Sequence, residues 1–181
     1  MKYPNAIWSP TQNFKRGRKE DVSLIVLHIT DGQKDLKRAI EHLSKPKNQV
    51  SAHFLIGQDG TVVQLVDTED TAWHASGVNN KSIGIEHCAR SPKEFSDEDP
   101  GLPMTDEQYH SSALLVNWLC KVYNLPRDRN HILGHSELVD EDGKSLSSHR
   151  DCPQGVLSWE RFMQELLKDE NKASMQNMKY E

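Results

Sequence analysis

The sequence predicts a single domain of mixed α/β (α+β) class, with a central mixed β-sheet flanked by helices. Three observations predict it. Runs rich in β-branched and aliphatic residues are interleaved with segments whose apolar residues recur at helical spacing. Two of the runs are joined by an Asp-Gly turn, which makes them an antiparallel hairpin. Others are separated by crossovers long enough to join parallel strands. At 181 residues, 35% hydrophobic and 27% charged, the chain has the length and composition for one good core.

Residues 1–20 carry Pro4, Pro10, Gly17 and the basic cluster Lys15-Arg16-Gly17-Arg18-Lys19. They read as an extended arm whose basic cluster is a solvated face. Val22–His28 is almost continuously aliphatic, as a strand buried on both faces should be. Asp31-Gly32 breaks it. Leu36, Ala39, Ile40 and Leu43 then mark a helix that stops before Pro46. Val50–Ile56 and Thr61–Val66 flank Gly57-Gln58-Asp59-Gly60 and form the hairpin. Ser82–Glu86 is a further strand. Ser91–Pro103, with three prolines and four acidic residues, is a loop. Thr105-Asp106-Glu107-Gln108 is a capping box that opens a helix. Leu115, Trp118, Leu119 and Val122 form its apolar stripe, and it ends near Asn124-Leu125-Pro126. Asn130–Gly134 reads as a short strand and Val139–Ser148 as a polar loop. Ser158 opens a last helix, with Trp159, Phe162, Met163, Leu166 and Leu167 facing inward. The domain is thus expected over residues 21–168, between the arm and a polar tail at 169–181.

Several function classes are excluded. Lys+Arg 22 against Asp+Glu 27 gives a net charge of −5, which argues against nucleic acid as the main partner. No apolar run approaches the roughly 18 residues of a membrane-spanning helix, so a membrane is not an expected partner. The start, MKYPNAIWSP, shows no Sec signal, although a trimmed chain or another export route would leave the same start. Three cysteines do not make a disulfide scaffold. Nine histidines raise the question of a metal.

The polar residues that end apolar runs are the candidates for chemistry. His28 closes an aliphatic strand, where its imidazole is either bonded internally or aimed into a cleft. His135 follows Ile132-Leu133-Gly134 in the same way, with Gly134 allowing close backbone approach. Cys88 and Cys120 read as small buried apolar residues. Cys152 lies in a polar loop beside Arg150, a cation that favours the thiolate. Two imidazoles and a thiolate are a ligand set for catalytic zinc that leaves a fourth position open. With no CxxC and no HExxH, spacing alone does not establish the site. Glu86 ends Ile83-Gly84-Ile85, where a carboxylate is costly unless paired or used as a base; a solvent-facing edge position is the plain alternative. Trp73-His74 reads either as a groove floor or as packing.

Taken in order, these pieces resemble the zinc-dependent N-acetylmuramoyl-L-alanine amidases of type 2, the family that includes the peptidoglycan recognition proteins. The resemblance runs from about Ser9 to Leu167. It is carried by Ile25–Gly32, by Val50–Ile56 with Asp59-Gly60-Thr61-Val62, by Ala72-Trp73-His74-Ala75-Ser76, by Ser82–Glu86, by Gly134-His135-Ser136-Glu137 and by Arg150-Asp151-Cys152-Pro153. It implies a mixed sheet flanked by helices with Zn2+ at the bottom of an open groove, held by His28, His135 and Cys152. It implies peptidoglycan or a muropeptide as substrate, Glu86 as general base, Arg150 as oxyanion stabiliser, and His53, Trp73 and His74 as substrate-binding or supporting groups. Arg150 stands where the family commonly has Lys, which keeps the charge but not the exchangeable proton. Ala52 stands where some members have Tyr, and Cys152 where some have Asp, with Asp151 beside it. The loop from Val139 to His149 is longer than usual and brings a further histidine, His149, near the site. A monomer is expected, either cytoplasmic or delivered to the cell wall by a non-Sec route. Two other readings compete: a recognition module of the same fold without metal, and a thiol hydrolase with Cys152 as nucleophile.

Overall fold

In chain order the elements are β1 (Ile7–Trp8), β2 (Phe14–Lys15), β3 (Leu24–Ile29), α1 (Leu36–Ser44), β4 (Phe54–Ile56), β5 (Val62–Gln64), β6 (Thr71–Ala72), β7 (Ser82–His87), α2 (Asp106–Tyr123), β8 (Ile132–Gly134) and α3 (Trp159–Asn177). The computed structural model describes residues 1–32, 35–92, 101–147 and 152–177, with 169–177 as backbone. Most of the Ser91–Pro103 loop, and with it His149, Arg150 and Asp151, lies outside the described residues.

The six-stranded sheet runs β1-β5-β4-β7-β3-β8, and a two-stranded sheet pairs β2 with β6. Only β4 and β5 pair antiparallel within the large sheet. They are the hairpin, closed where Gly60 adopts φ +78° and Asp59 Oδ1 accepts the Thr61 N–H. The crossovers make the other pairings parallel, so the sheet is mixed, as the sequence predicts. β3 is buried along most of its length between β7 and β8. Asp31 ends the run at φ +46°, a left-handed position that Asp tolerates.

Alternation along the strands divides the sheet into two faces. Ile25, Leu27, Ile29, Phe54, Ile56, Ile83, Ile85 and Ile132 form one core with residues of α2 and α3. Phe162 and Leu166 of α3 are fully buried there, each contributing roughly 1.5–3 kcal/mol. On the opposite face α1 packs in a smaller cluster with Leu55, Val63, Leu65, Val66, Ala72 and Cys88. Further along this face, near the C-terminal ends of β3 and β7, His28 and Glu86 stand in register.

The capping box is present: Thr105 Oγ1 accepts the Gln108 N–H and the Gln108 side chain accepts the Thr105 N–H. Asn124, left-handed at φ 52°, caps the other end of α2. α3 runs on to Asn177, well past the apolar stripe that predicted it. The arm enters both sheets, β1 parallel to β5 and β2 antiparallel to β6. Two-residue strands are too short to show a period, which is why the sequence shows an arm and not strands. Lys15, Arg16 and Lys19 are exposed, as a solvated cluster should be, but Arg18 is a correction. Its guanidinium turns inward and donates to the carbonyls of Thr68, Asn79, Asn80 and Ser82. Among the described residues, no helix is long and apolar enough to cross a membrane.

Candidate metal centre

Three neighbouring parallel strands, β7, β3 and β8, end at one place, and their C-terminal ends deliver the polar side chains. His28 is the last residue but one of β3, Glu86 the last but one of β7, and His135 follows β8 directly. Open α/β sheets bind ligands at such strand ends, because a loop can leave the sheet there without uncovering the core. Cys152 comes from a loop tied to the same place. Its carbonyl accepts the Ser136 N–H at 2.7 Å, and Ile29 N–H donates to its sulfur at 3.3 Å. Gly134 permits this approach: a Cβ there would lie 2.6 Å from Pro153 Cδ.

The donor atoms of His28, His135 and Cys152 all lie within 4.8 Å of one another. Cys152 Sγ is 3.8 Å from His28 Nδ1, and the His28 and His135 ring centroids are 4.6 Å apart. Metal–nitrogen and metal–sulfur bonds of about 2.0–2.3 Å around a tetrahedral ion separate donors by roughly 3.3–3.7 Å. The trio is therefore a candidate metal site needing little adjustment. Burial pushes the Cys152 thiol pKa far up, and the Glu86 carboxylate adds to the effect. In the metal-free protein this group is a thiol.

Glu86 Oε2 is buried with no hydrogen-bond partner among the described residues. Burial pushes its pKa up to about 8. A buried carboxyl oxygen without a partner among the described residues, beside three candidate metal ligands, makes Glu86 a candidate for proton transfer.

Behind the trio, His28 Nε2 meets His74 Nδ1 at 3.0 Å, and His74 Nε2 meets Ser82 Oγ at 3.1 Å. The His74 ring lies over Gly84: a Cβ there would be 2.4 Å from His74 Cγ. Asn79 Oδ1 accepts the N–H groups of both His74 and Ala75. Chiefly through burial, the His74 pKa is held well below the ordinary histidine value, so the ring is neutral.

His53, expected among the substrate-binding or supporting groups, has a fully buried side chain. Its Nδ1 accepts the Gly84 N–H at 3.0 Å, and its Nε2 lies 2.7 Å from Arg18 Nη2 and 3.1 Å from the Asp70 carbonyl. Burial, reinforced by the nearby Arg18 guanidinium, keeps it neutral. Trp73 is partly exposed on the segment that carries His74 and remains available to a ligand. Arg150, predicted as a cation beside Cys152, lies outside the described residues.

His87 was not singled out by sequence. From the core face its Nδ1–H donates to the His28 carbonyl at 2.9 Å, and its Nε2 accepts the Ser112 hydroxyl at 3.0 Å. Burial pushes its pKa down to about 4. Ser82 was read only as the start of a strand. The signal that was present is Gly84, since a glycine inside a strand marks a close approach.

Comparison with known proteins agrees with this geometry. The profile of the N-acetylmuramoyl-L-alanine amidase family matches residues 18–155. The 1,6-anhydro-N-acetylmuramyl-L-alanine amidase AmpD of Haemophilus influenzae is 30% identical over 175 residues, 82% of this chain and 85% of that protein. N-acetylmuramoyl-L-alanine amidase A of Achromobacter lyticus is 35% identical over 92 residues, 49% of this chain, and the match spans only half (50%) of that relative's length. Among solved structures, a selenomethionine derivative of AmpD superposes with a TM-score of 0.70 at 26% identity, covering 91% of this chain and 96% of its own. The E. coli amidase AmiD, solved with an anhydro-N-acetylmuramic acid tripeptide substrate, shares the fold at a TM-score of 0.63 and 19% identity, covering 83% and 60%. With its profile, its sequence relatives and its fold in agreement, the chain belongs to the type 2 N-acetylmuramoyl-L-alanine amidase family.

Proposed function

We propose that this chain is a zinc-dependent peptidoglycan amidase that hydrolyses the amide between the lactyl group of N-acetylmuramic acid and the first L-alanine of the stem peptide. The convergence of His28, His135 and Cys152 beside the buried Glu86 carboxyl, whose Oε2 has no partner among the described residues, carries this reading. The donor set fits zinc: two neutral imidazoles and one thiolate leave a net charge of about +1 and an open fourth position. When bound, zinc supplies Lewis acidity to the scissile carbonyl and to the attacking water.

The remaining work falls to the chain's own residues. Glu86 accepts a proton from the water as its oxygen bonds to the carbonyl carbon. The same carboxyl then returns the proton to the leaving nitrogen of L-alanine as the C–N bond breaks. A carboxyl that burial has raised to about 8 holds a proton well enough for the second step, and a nearby cation lowers it for the first. Arg150, two residues before Cys152 in sequence, is assigned to the developing oxyanion, where a fixed charge suffices and proton donation is not needed. Trp73 offers an aromatic surface to the substrate.

The thiol-hydrolase alternative is disfavoured by the Cys152 sulfur itself, which is buried and poorly ionised without a metal. A recognition module without metal would not need Cys152 at all. The AmpD relatives are named for a 1,6-anhydro-N-acetylmuramyl substrate, so both intact peptidoglycan and an anhydro-muropeptide belong in the assay.

The test is digestion of both substrates by wild type, Cys152→Ser and Glu86→Ala, with products read by mass spectrometry. Wild type should free peptides with an L-alanine amino terminus. Both variants should lose at least about 100-fold in rate, the scale of a removed acid–base group. Cleavage elsewhere in the peptide or in the glycan would refute the bond assignment, and full activity of Glu86→Ala would remove Glu86 from the base role.

A further inference from the structure

We propose that His74 is a positioning residue for the metal ligand His28, acting through a directed hydrogen-bond chain that runs His28 to His74 to Ser82 to the Val78 carbonyl. The inference rests on the zinc reading above and gives a specific supporting role to a residue that the sequence placed among the substrate-binding or supporting groups.

The direction of the chain follows from its far end. Ser82 Oγ lies 2.7 Å from the Val78 carbonyl oxygen. Two oxygens that close need a proton between them, and the carbonyl has none to give. The Ser82 hydroxyl therefore points at Val78, so towards His74 the Ser82 oxygen can only accept. His74 Nε2, 3.1 Å away, carries the hydrogen. In the neutral ring, His74 Nδ1 is then the lone-pair nitrogen. It faces His28 Nε2 at 3.0 Å, so His28 Nε2 must be the N–H. That leaves the His28 Nδ1 lone pair directed at the site, 3.8 Å from the Cys152 sulfur. One serine hydroxyl thus selects the tautomer of His28, two hydrogen bonds away through His74.

The position of His74 is built independently of these bonds. Only a glycine at 84 admits the ring, since a Cβ would come within 2.4–2.7 Å of three of its atoms. The backbone that carries the ring is clamped where Asn79 Oδ1 takes two successive N–H groups, at 3.1 and 2.7 Å. Metal-bound histidines commonly donate their second N–H to a carboxylate or carbonyl. A neutral imidazole does the same without adding negative charge behind the ion, which preserves the site's net positive charge.

Two measurements test this. In the metal-stripped protein labelled with [15N]histidine, long-range 1H–15N spectra should show both His28 and His74 as Nε2–H tautomers. An Nδ1–H form of His28 would overturn the relay. In competition with a chromogenic zinc chelator, His74→Leu should bind zinc about 10–100-fold more weakly. His74→Asn, whose amide oxygen can occupy the place of Nδ1, should recover most of that loss. Undiminished affinity in the leucine variant, or equal loss in both variants, would reduce His74 to packing and overturn the proposal. If the unsubstituted protein takes up no zinc, the functional reading falls instead, and the tautomer spectra alone then decide the relay.

Discussion

Glu86 and His87 are adjacent on β7 and face opposite sides of the sheet, and burial shifts them in opposite senses. The Glu86 carboxyl, at about 8 when folded and 4.5 as a reference, is a group whose folded pKa is raised. Its contribution to stability is complete below about pH 4.5 and is lost as pH rises through about 8, at up to ~1.4 kcal/mol per pH unit. His87, pushed down to about 4 from 6.5, contributes above pH 6.5 and loses that contribution as pH falls towards 4. The metal-stripped protein should therefore melt several degrees lower at pH 8.5 than at pH 6. In Glu86→Gln, neutral at every pH, most of that difference should vanish. Equal melting temperatures for wild type at the two pH values would mean that the carboxyl is solvated or paired after all.

At the scale of elements, β7 serves two purposes by alternation. Ile83, Ile85 and His87 face the core under α2 and α3, while Ser82, Gly84 and Glu86 face the site. Helix α2 lies on the core side only, so its capping can be weakened without touching the chemistry. Thr105 Oγ1 accepts the Gln108 N–H and also donates to the Gln58 carbonyl at 2.7 Å, tying the start of α2 to the hairpin. Losing the cap costs about 1 kcal/mol, and the hairpin bond about 1 more. Denaturant melts of Thr105→Ala should show a loss near 2 kcal/mol, while zinc affinity and the rate per folded molecule stay as in wild type. A comparable fall in activity at temperatures where the variant is fully folded would mean that α2 does reach the site.

For the molecule as a whole, the candidate metal site joins segments far apart in sequence: the end of β3, the end of β8 and the Cys152 loop. An ion that binds only the folded chain stabilises it by about 2.7 kcal/mol at a hundredfold excess over its dissociation constant. For a chain of this size, that corresponds to roughly 5–10 °C in melting temperature. Chelation should lower Tm by about that much and added Zn2+ should restore it, with Cys152→Ser insensitive to both. Because the thiol must lose its proton to bind, zinc affinity should also rise with pH, up to about tenfold per unit. Much of this was legible in the chain. β3, the hairpin, α1 and α2 with its capping box all follow from local patterning, because periodicity, turn residues and caps are properties of neighbouring residues, while the family motifs were legible as a resemblance. His28, Glu86 and His135 were also visible, as polar residues where apolar patterns end, and Cys152 as a cysteine in a polar loop. What no local pattern carries is which ring faces which. That Arg18 turns inward, that His53 is buried, and that His74 sits on Gly84 behind His28 depend on crossovers that bring residues tens of positions apart within 3 Å. Such contacts are settled by how the sheet closes over its core, so only the tertiary structure could decide them.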